Sequence, residues 1–227
     1  MKHASVAEPR LLPERDKRRA RLTSRGELKR TQILDAAAKV LARRGYAATT
    51  LAEIAEEVGT AGPGSLYYHF DSREDLIEQL LRRGVHVAFE HSRRAVAALP
   101  SSASALDRLK AAIRAHMLCV LVVSDYARAA VRSTGQVPAA MWTRVNADFR
   151  RYGKFYDQLI RATMEAREID PTVDRKALRM LIAGAINWAP EWYRANGTSC
   201  AEEVADLLVR VVVDGVGSAG NRAGADR

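Results

Sequence analysis

Cysteine is nearly absent from this chain. Its two copies, Cys119 and Cys200, stand far apart, and neither has a second cysteine or a histidine at ligand spacing. That argues against a disulfide framework or a zinc site and leaves two buried thiols as the expectation. Long apolar runs are missing as well. No stretch approaches the roughly twenty residues needed to span a bilayer, and the amino terminus lacks the apolar core of a signal peptide, so a cytoplasmic protein with no membrane partner is expected. No segment alternates apolar and polar residues in the manner of a strand. Catalytic groupings are missing too: no glycine loop cradles phosphate, and Asp157, Glu165 and Glu168 have no histidine nearby. A nucleophile, base and orienting group cannot be assembled from local spacing. An enzyme is therefore the least favoured class, and no metal or cofactor is expected.

Acidic residues are also in short supply. The 227 residues carry 36 Lys plus Arg against 27 Asp plus Glu, a formal net charge of +9, and the surplus is uneven. Residues 1–30 hold ten basic side chains, Arg18 and Arg19 among them, against four acidic ones, two thirds of the excess. With Pro9, Pro13 and little apolar periodicity, the segment up to residue 23 reads as a flexible basic arm able to lie along phosphates or reach a minor groove. A tail that merely aids solubility is the plain alternative. The mean hydropathy of −0.22 is ordinary for a folded chain with room for a small unit and a larger core.

What is present is helix. Thr50 and Glu53 have capping-box spacing, and Leu51, Ile54, Ala55 and Val58 recur at helical intervals, so a short amphipathic helix is predicted from Thr50 to Gly59. A second helix must begin almost at once. Pro63 suits its first turn, Leu66 and Phe70 would pack back on the first helix, and Ser65, Tyr67, Tyr68 and His69 are left facing outward. Two helices joined by a glycine-bearing turn, the second showing hydroxyls and an imidazole, have the layout of a helix-turn-helix that enters the DNA major groove. An ordinary helical hairpin is the plain alternative. Upstream, Ser24 and Glu27 have capping spacing before the stripe Ile33, Leu34, Ala37, Val40 and Leu41, which ends at Arg43-Arg44-Gly45. Downstream, Ser72 and Asp75 cap a helix bearing Leu76, Ile77, Leu80 and Leu81.

These helices, with Gly45-Tyr46 before Thr49-Thr50 and Leu66-Tyr67-Tyr68-His69-Phe70 before an acidic cap, resemble the DNA-binding domain of TetR-type transcriptional regulators over residues 24 to 80. One departure is visible. Four residues, Thr60 to Pro63, separate Gly59 from Gly64 where the family usually has three, which bears on how the second helix is aimed. The resemblance implies an all-α fold, with a three-helix helix-turn-helix domain over residues 24–71 and a helical effector-binding and dimerisation bundle over 72–217. The arm precedes them and a disordered tail, 218–227, follows.

The bundle is legible as further stripes. Leu106, Leu109, Ile113, Met117, Val120 and Leu121 form one, followed by a short helix near Asp125 to Arg132. A long helix runs from Ala139 to about Arg167, residues 174 to 196 form the next, and Ser199 with Glu202 caps the last. In TetR-type regulators the last two helices usually pair with their copies. Here Ala183-Gly184-Ala185 would let helices approach closely, and Val211-Val212-Val213 exceeds the needs of one face, so a homodimer is expected, as is a palindromic double-stranded DNA operator.

Asn187-Trp188 through Trp192-Tyr193 resembles the carboxyl-terminal domain of TetR-type repressors of fatty-acid and sterol catabolism, some of which sense acyl-CoA thioesters. His86, His116, Met117, Trp142, Asn146, Phe149, Tyr152, Tyr156, Asn187, Trp188 and Trp192 are the candidate lining of an effector pocket, with packing in the core or dimer seam as the alternative. Arg150, Arg151, Lys154 and Arg194 could meet a CoA phosphate or form a solvated face. On the DNA side, Gly64, Ser65 and Tyr67 are expected at base edges or their bridging waters. Tyr68, His69, Thr49 and Thr50 are expected on phosphate oxygens, supplemented by Lys29, Arg18 and Arg19. The first-ranked function is a ligand-responsive repressor released from its operator by a small hydrophobic or acyl-CoA-like effector. An effector-independent architectural DNA-binding protein ranks second.

Overall fold

The computed structural model describes residues 14–216, with side chains described over residues 25–215. Among these residues every regular element is helical. Helix α1, Glu14–Ala48, begins ten residues before the capping position expected at Ser24, which therefore lies inside it. Residues 14–23, expected to belong to a flexible arm, continue the helix instead. The reason is local: after Pro13 the chain has no glycine or proline until Gly26, and Glu14 and Asp16 precede Arg18 and Arg19 among strong helix formers. The rest of the expected arm and the whole expected tail lie outside the described residues, as do the side chains of Arg18 and Arg19. At its other end α1 is broken at Gly45, whose φ of 75° and ψ of 176° only glycine adopts without strain.

The following elements match the stripes closely. Helix α2 is Leu51–Val58, with a complete capping box between Thr50 and Glu53 and a left-handed Gly59 at its end. Pro63–Tyr68 is a single 3₁₀ helix, shorter and tighter than the second α-helix predicted there. Six residues containing proline and glycine cannot sustain an α-helix, and bonds such as Ser65 N–H to Gly62 O at 3.3 Å close the turns at i+3. Helix α3, Arg73–Ala97, starts at Ser72, whose hydroxyl accepts from Asp75 N–H. Helix α4 is Ala105–Leu118 and passes into a π-helical turn at Cys119–Val123. Carbonyls loosened there are taken by Arg128, which donates to Val120 O at 3.1 Å and to Leu121 O.

Four helices complete the described residues: α5, Asp125–Ser133; α6, Ala139–Glu165; α7, Arg175–Trp192; and α8, Ala201–Val216. Helix α7 runs through Pro190 and stops at Trp192, short of the expected end near Gly197. The start of α8 is capped by Cys200, one residue later than expected. Its sulfur accepts from Glu203 N–H at 3.5 Å while Glu203 returns a carboxylate oxygen to Cys200 N–H at 2.9 Å. Cys200 is consequently exposed, whereas Cys119 is buried as expected and its thiol is pushed up to about 12 by burial.

One continuous apolar core joins the two parts. Ile33, Ala37 and Leu41 of α1 pack with Ile54, Leu66, Phe70 and Ile77, and the core continues through Leu109, Ile113, Ile160 and Ile182. Helices α3 and α5 approach so closely at Gly84 that a Cβ there would meet the Tyr126 carbonyl and lie 2.8 Å from Ala130 Cβ. This contact holds α5 between the first three helices and the rest of the bundle.

Candidate functional site

The outward face of the 3₁₀ helix is the most exposed aromatic surface near the amino-terminal core. Leu66 and Phe70 are buried and anchor it, while Tyr67 is 57% and Tyr68 89% exposed. Ser65 is half-buried and donates to Gly62 O at 2.8 Å. Gly64 has open space where a Cβ would stand, so backbone can come close to whatever docks here. His69 is half-buried at the helix end. The four-residue turn is absorbed without disturbing α2. Thr60 folds back to donate its N–H to Ala55 O at 2.9 Å, and Gly62 turns the corner with φ of 154°.

Of the expected phosphate contacts, Thr49 is buried in the scaffold, whereas Thr50 caps α2 from an exposed position. Thr49 is only 2% exposed and its hydroxyl donates to Gly45 O at 2.7 Å, capping the broken end of α1. The Thr50 hydroxyl donates its one hydrogen to Glu53 at 3.1 Å and accepts from Glu53 N–H at 3.3 Å. The Thr50 backbone N–H, then the Thr50 hydroxyl and Arg44, hold the Glu53 carboxyl below its usual range. The capping box itself uses the Thr50 hydroxyl as an acceptor, and in this structure the hydroxyl hydrogen is also turned to the Glu53 carboxylate although the residue is exposed. Lys29 is half-buried on α1.

Two arginines that the sequence reading did not single out fix this surface. Arg73 donates to Tyr46 O at 2.7 Å and Thr49 O at 3.0 Å while stacking 4.5 Å from the Tyr46 ring. Arg30 bonds to Gln79 and lies 4.6 Å from the Phe70 ring. Neither pairing has a local sequence signature, because partners 24 to 49 residues apart meet only in the fold.

A cavity of about 340 Å³ opens among α3, α4, α5, α6 and α7. Of the expected lining it contains His116, Trp142, Asn146, Phe149, Tyr152, Tyr156 and Asn187, together with Arg150. Four expected residues are elsewhere. His86 is exposed on α3, Met117 is buried away from the cavity, and Trp188 and Trp192 face outward from α7, Trp188 at 66% exposure. Helical phase explains the last two: Ile186 and Ala189 take the inward face, which leaves Trp188, and Trp192 four residues on, on the outward one. The cavity also has walls that were not anticipated, chiefly Ala127, Ala130, Val131 and Thr134 of α5, and Arg179, Ile182 and Ala183 of α7. Small residues on a short helix carry no chemical signal; they matter here because they leave space.

The floor of the cavity is polar. Tyr156 donates to Ala112 O at 3.0 Å and lies 3.4 Å from His116 Nδ1, while Tyr152 and Ser92 share a hydrogen bond of 2.7 Å. Burial, with a smaller contribution from His91, pushes His116 down to about 3, so its imidazole is neutral at physiological pH. Burial likewise raises both tyrosines, which stay protonated.

Helix α5 also grips α1. On the face away from the cavity, Arg132 donates to the carbonyls of Ala42 and Arg43, both at 2.8 Å, and pairs with Glu191 of α7 at 2.8 Å. Gln136 accepts from Tyr46 N–H at 3.1 Å and donates to Arg132 O at 2.8 Å. Tyr126 donates to Asp35 at 2.6 Å. Separately, Leu181 and Trp188 of α7 with Leu207 and Val211 of α8 stand exposed, and Gly184 has no neighbour within reach of a Cβ.

Comparisons with known proteins agree on one kinship. Residues 33–80 match the bacterial regulatory proteins of the tetR family, and residues 102–216 match the tetracyclin repressor-like C-terminal domain. The HTH-type transcriptional repressor KstR2 of Rhodococcus jostii is 29% identical over 197 residues, covering 85% of this chain and 93% of that protein. AibR, solved in complex with isovaleryl coenzyme A and operator DNA, superposes with a TM-score of 0.72 at 23% identity over 81% of this chain and 97% of that one. FadR from Bacillus subtilis in complex with stearoyl-CoA gives 0.66 at 21% identity over 82% and 98%. The two structural likenesses establish the fold.

Proposed function

The chain belongs to the tetR family of bacterial regulatory proteins, and on that premise we propose that it is a homodimeric transcriptional repressor released from a two-fold operator by an effector of the acyl-CoA class. The observation that carries the reading is the double duty of α5. One of its faces walls the cavity and the other, through Arg132, holds the carboxyl end of the α1 segment that supports the output helices. An effector that fits the cavity better when α5 is displaced must loosen or tilt that support. Its differential affinity for the two arrangements is the whole of the energy available to weaken DNA binding.

The output domain, residues 24–71, uses Ser65, Gly64 and Tyr67 toward base edges and Tyr68 and His69 toward phosphates, with Lys29 and the basic arm adding sequence-independent attraction. A second copy covers the apolar stripe on α7 and α8 and sets the spacing of the two reading surfaces. The sensing domain, residues 72–217, holds the effector. A cavity of about 340 Å³ is at the small end of ligand sites, which suits a short or medium-length acyl body. The relatives are regulators, and catalysis has no support in the cavity: its one imidazole is held neutral between tyrosines, with no nucleophile paired to it.

Genome-wide mapping of bound DNA, followed by fluorescence anisotropy on the recovered operator with a series of acyl-CoA thioesters, tests the proposal. A specific operator lost on adding one chain-length class is the expected result. Binding that is steeply salt-dependent, indifferent to sequence and unaffected by any thioester would identify the architectural alternative instead.

A further inference from the structure

The seam between α6 and α7 contains two successive arginine rungs with opposite fates. At the first, Arg175 meets Asp157 at 3.1 Å. One turn further along α7, Arg179 reaches the position one turn back on the antiparallel α6, and that position is Gly153. A Cβ there would meet Arg179 Nη1, the far end of a flexible side chain, so the guanidinium in its present position lies directly over the glycine. Arg179 Nε is buried without a hydrogen-bond partner, and among the described residues no ion pair is formed by this arginine. The guanidinium lines the cavity, whose walls contain no aspartate or glutamate and have a second arginine, Arg150, at the edge.

Arg179 is half-buried, with its Nε sealed from water and unpartnered, and the planar fork of a guanidinium is shaped to grip a carboxylate or phosphate through two bonds. We infer that Arg179 is an anion-binding site: the ligand supplies the negative oxygen group that Asp157 supplies one turn away, and its apolar body lies along Trp142 and Phe149. The inference rests on the cavity being the effector site and narrows the effector to an amphiphilic anion. The same chemistry is offered by the carboxylate of a free acid and by the phosphates of a coenzyme A thioester.

Calorimetric titration of the full-length protein with dodecanoate, dodecanoyl-CoA and methyl dodecanoate separates these sources. At least one anion is expected to bind roughly tenfold or more tightly than the uncharged ester, the scale of a charge-assisted hydrogen bond. Arg179→Met should erase that preference while Arg175→Met keeps it. A preference shown by dodecanoate assigns the site to a carboxylate; one shown by the thioester alone assigns it to a phosphate. Arg179→Gln, which keeps a polar head but removes the charge, should reproduce the loss and serves if Arg179→Met does not fold. Methyl ester binding as tight as both anions, or a preference that survives these two changes, overturns the inference and leaves the cavity as effector site. Binding of no probe to the wild type overturns both.

Discussion

The two ends of this molecule differ in what they leave unsatisfied. In the output region the guanidinium groups are engaged: Arg30 with Gln79 and Phe70, Arg43 with Glu57, Arg44 with Glu53, and Arg73 with two backbone carbonyls. The threonines that precede α2 have their hydroxyls committed too. In the sensing region Arg179 has no anion, the cavity floor carries a neutral imidazole, and an apolar stripe on α7 and α8 faces outward. A surface that must present two tyrosines at fixed angles gains from being fully bonded by itself. A surface that must respond has to be incomplete, so that a ligand or a second copy changes its free energy.

The largest test of that contrast removes the second copy. Leu181→Glu with Trp188→Glu should give a monomer by analytical ultracentrifugation and lower operator affinity by about 100-fold or more, because the linked second half-site is lost. Undiminished dimerisation would show that the stripe is covered by something else. Next is the joint between the regions. Arg132→Ala leaves the Ala42 and Arg43 carbonyls and Glu191 without their donor and should cost about 1–3 kcal/mol in chemical unfolding. It should also uncouple effector binding from DNA release. An unchanged response would move the relay away from α5.

A smaller effect tests the buried floor. The unfolded His116 imidazole takes a proton as pH falls below its ordinary value of 6.5, whereas the folded one refuses until about 3. Native stability should therefore fall across that window, by about 1 kcal/mol between pH 6.5 and 5.5. His116→Phe should remove that component of the acid sensitivity. The smallest concerns the exposed tyrosine: Tyr68→Phe should weaken all operators about equally, by less than about tenfold, while substitution of Ser65 should reorder them. Anisotropy on operator variants reads both, and the reverse pattern would exchange their roles.

Much of the fold was legible because its signals are local. Thr50 with Glu53, Gly59 after Val58, and Ser72 with Asp75 specify helix ends within four residues, and the stripes from Ile33 to Leu41 and Leu76 to Leu81 specify buried faces. Where local signals competed, the reading slipped: the good helix formers after Pro13 carried α1 past Ser24, and Cys200 displaced Ser199 as the cap of α8. The cavity was legible in its aromatic part, since Trp142, Phe149, Tyr152 and Tyr156 repeat along one helix. Trp188 and Trp192 were misplaced because two tryptophans four apart mark an apolar face without saying whether the neighbour is this chain's core or another surface.

Sequence alone determined the succession of helices, the capped and tightly turned output motif, and the family resemblance that goes with it, because each depends on residues a few positions apart. Tertiary structure decided which side chains remain free. Thr49 lost its place at the surface to a carbonyl four residues back, α5 came to lie between the cavity and α1, and Arg179 came to lie opposite a glycine while Arg175, one turn away, found an aspartate. Whether a charge is satisfied depends on what the fold brings across from it, and that partner is set by the packing of helices distant in the chain.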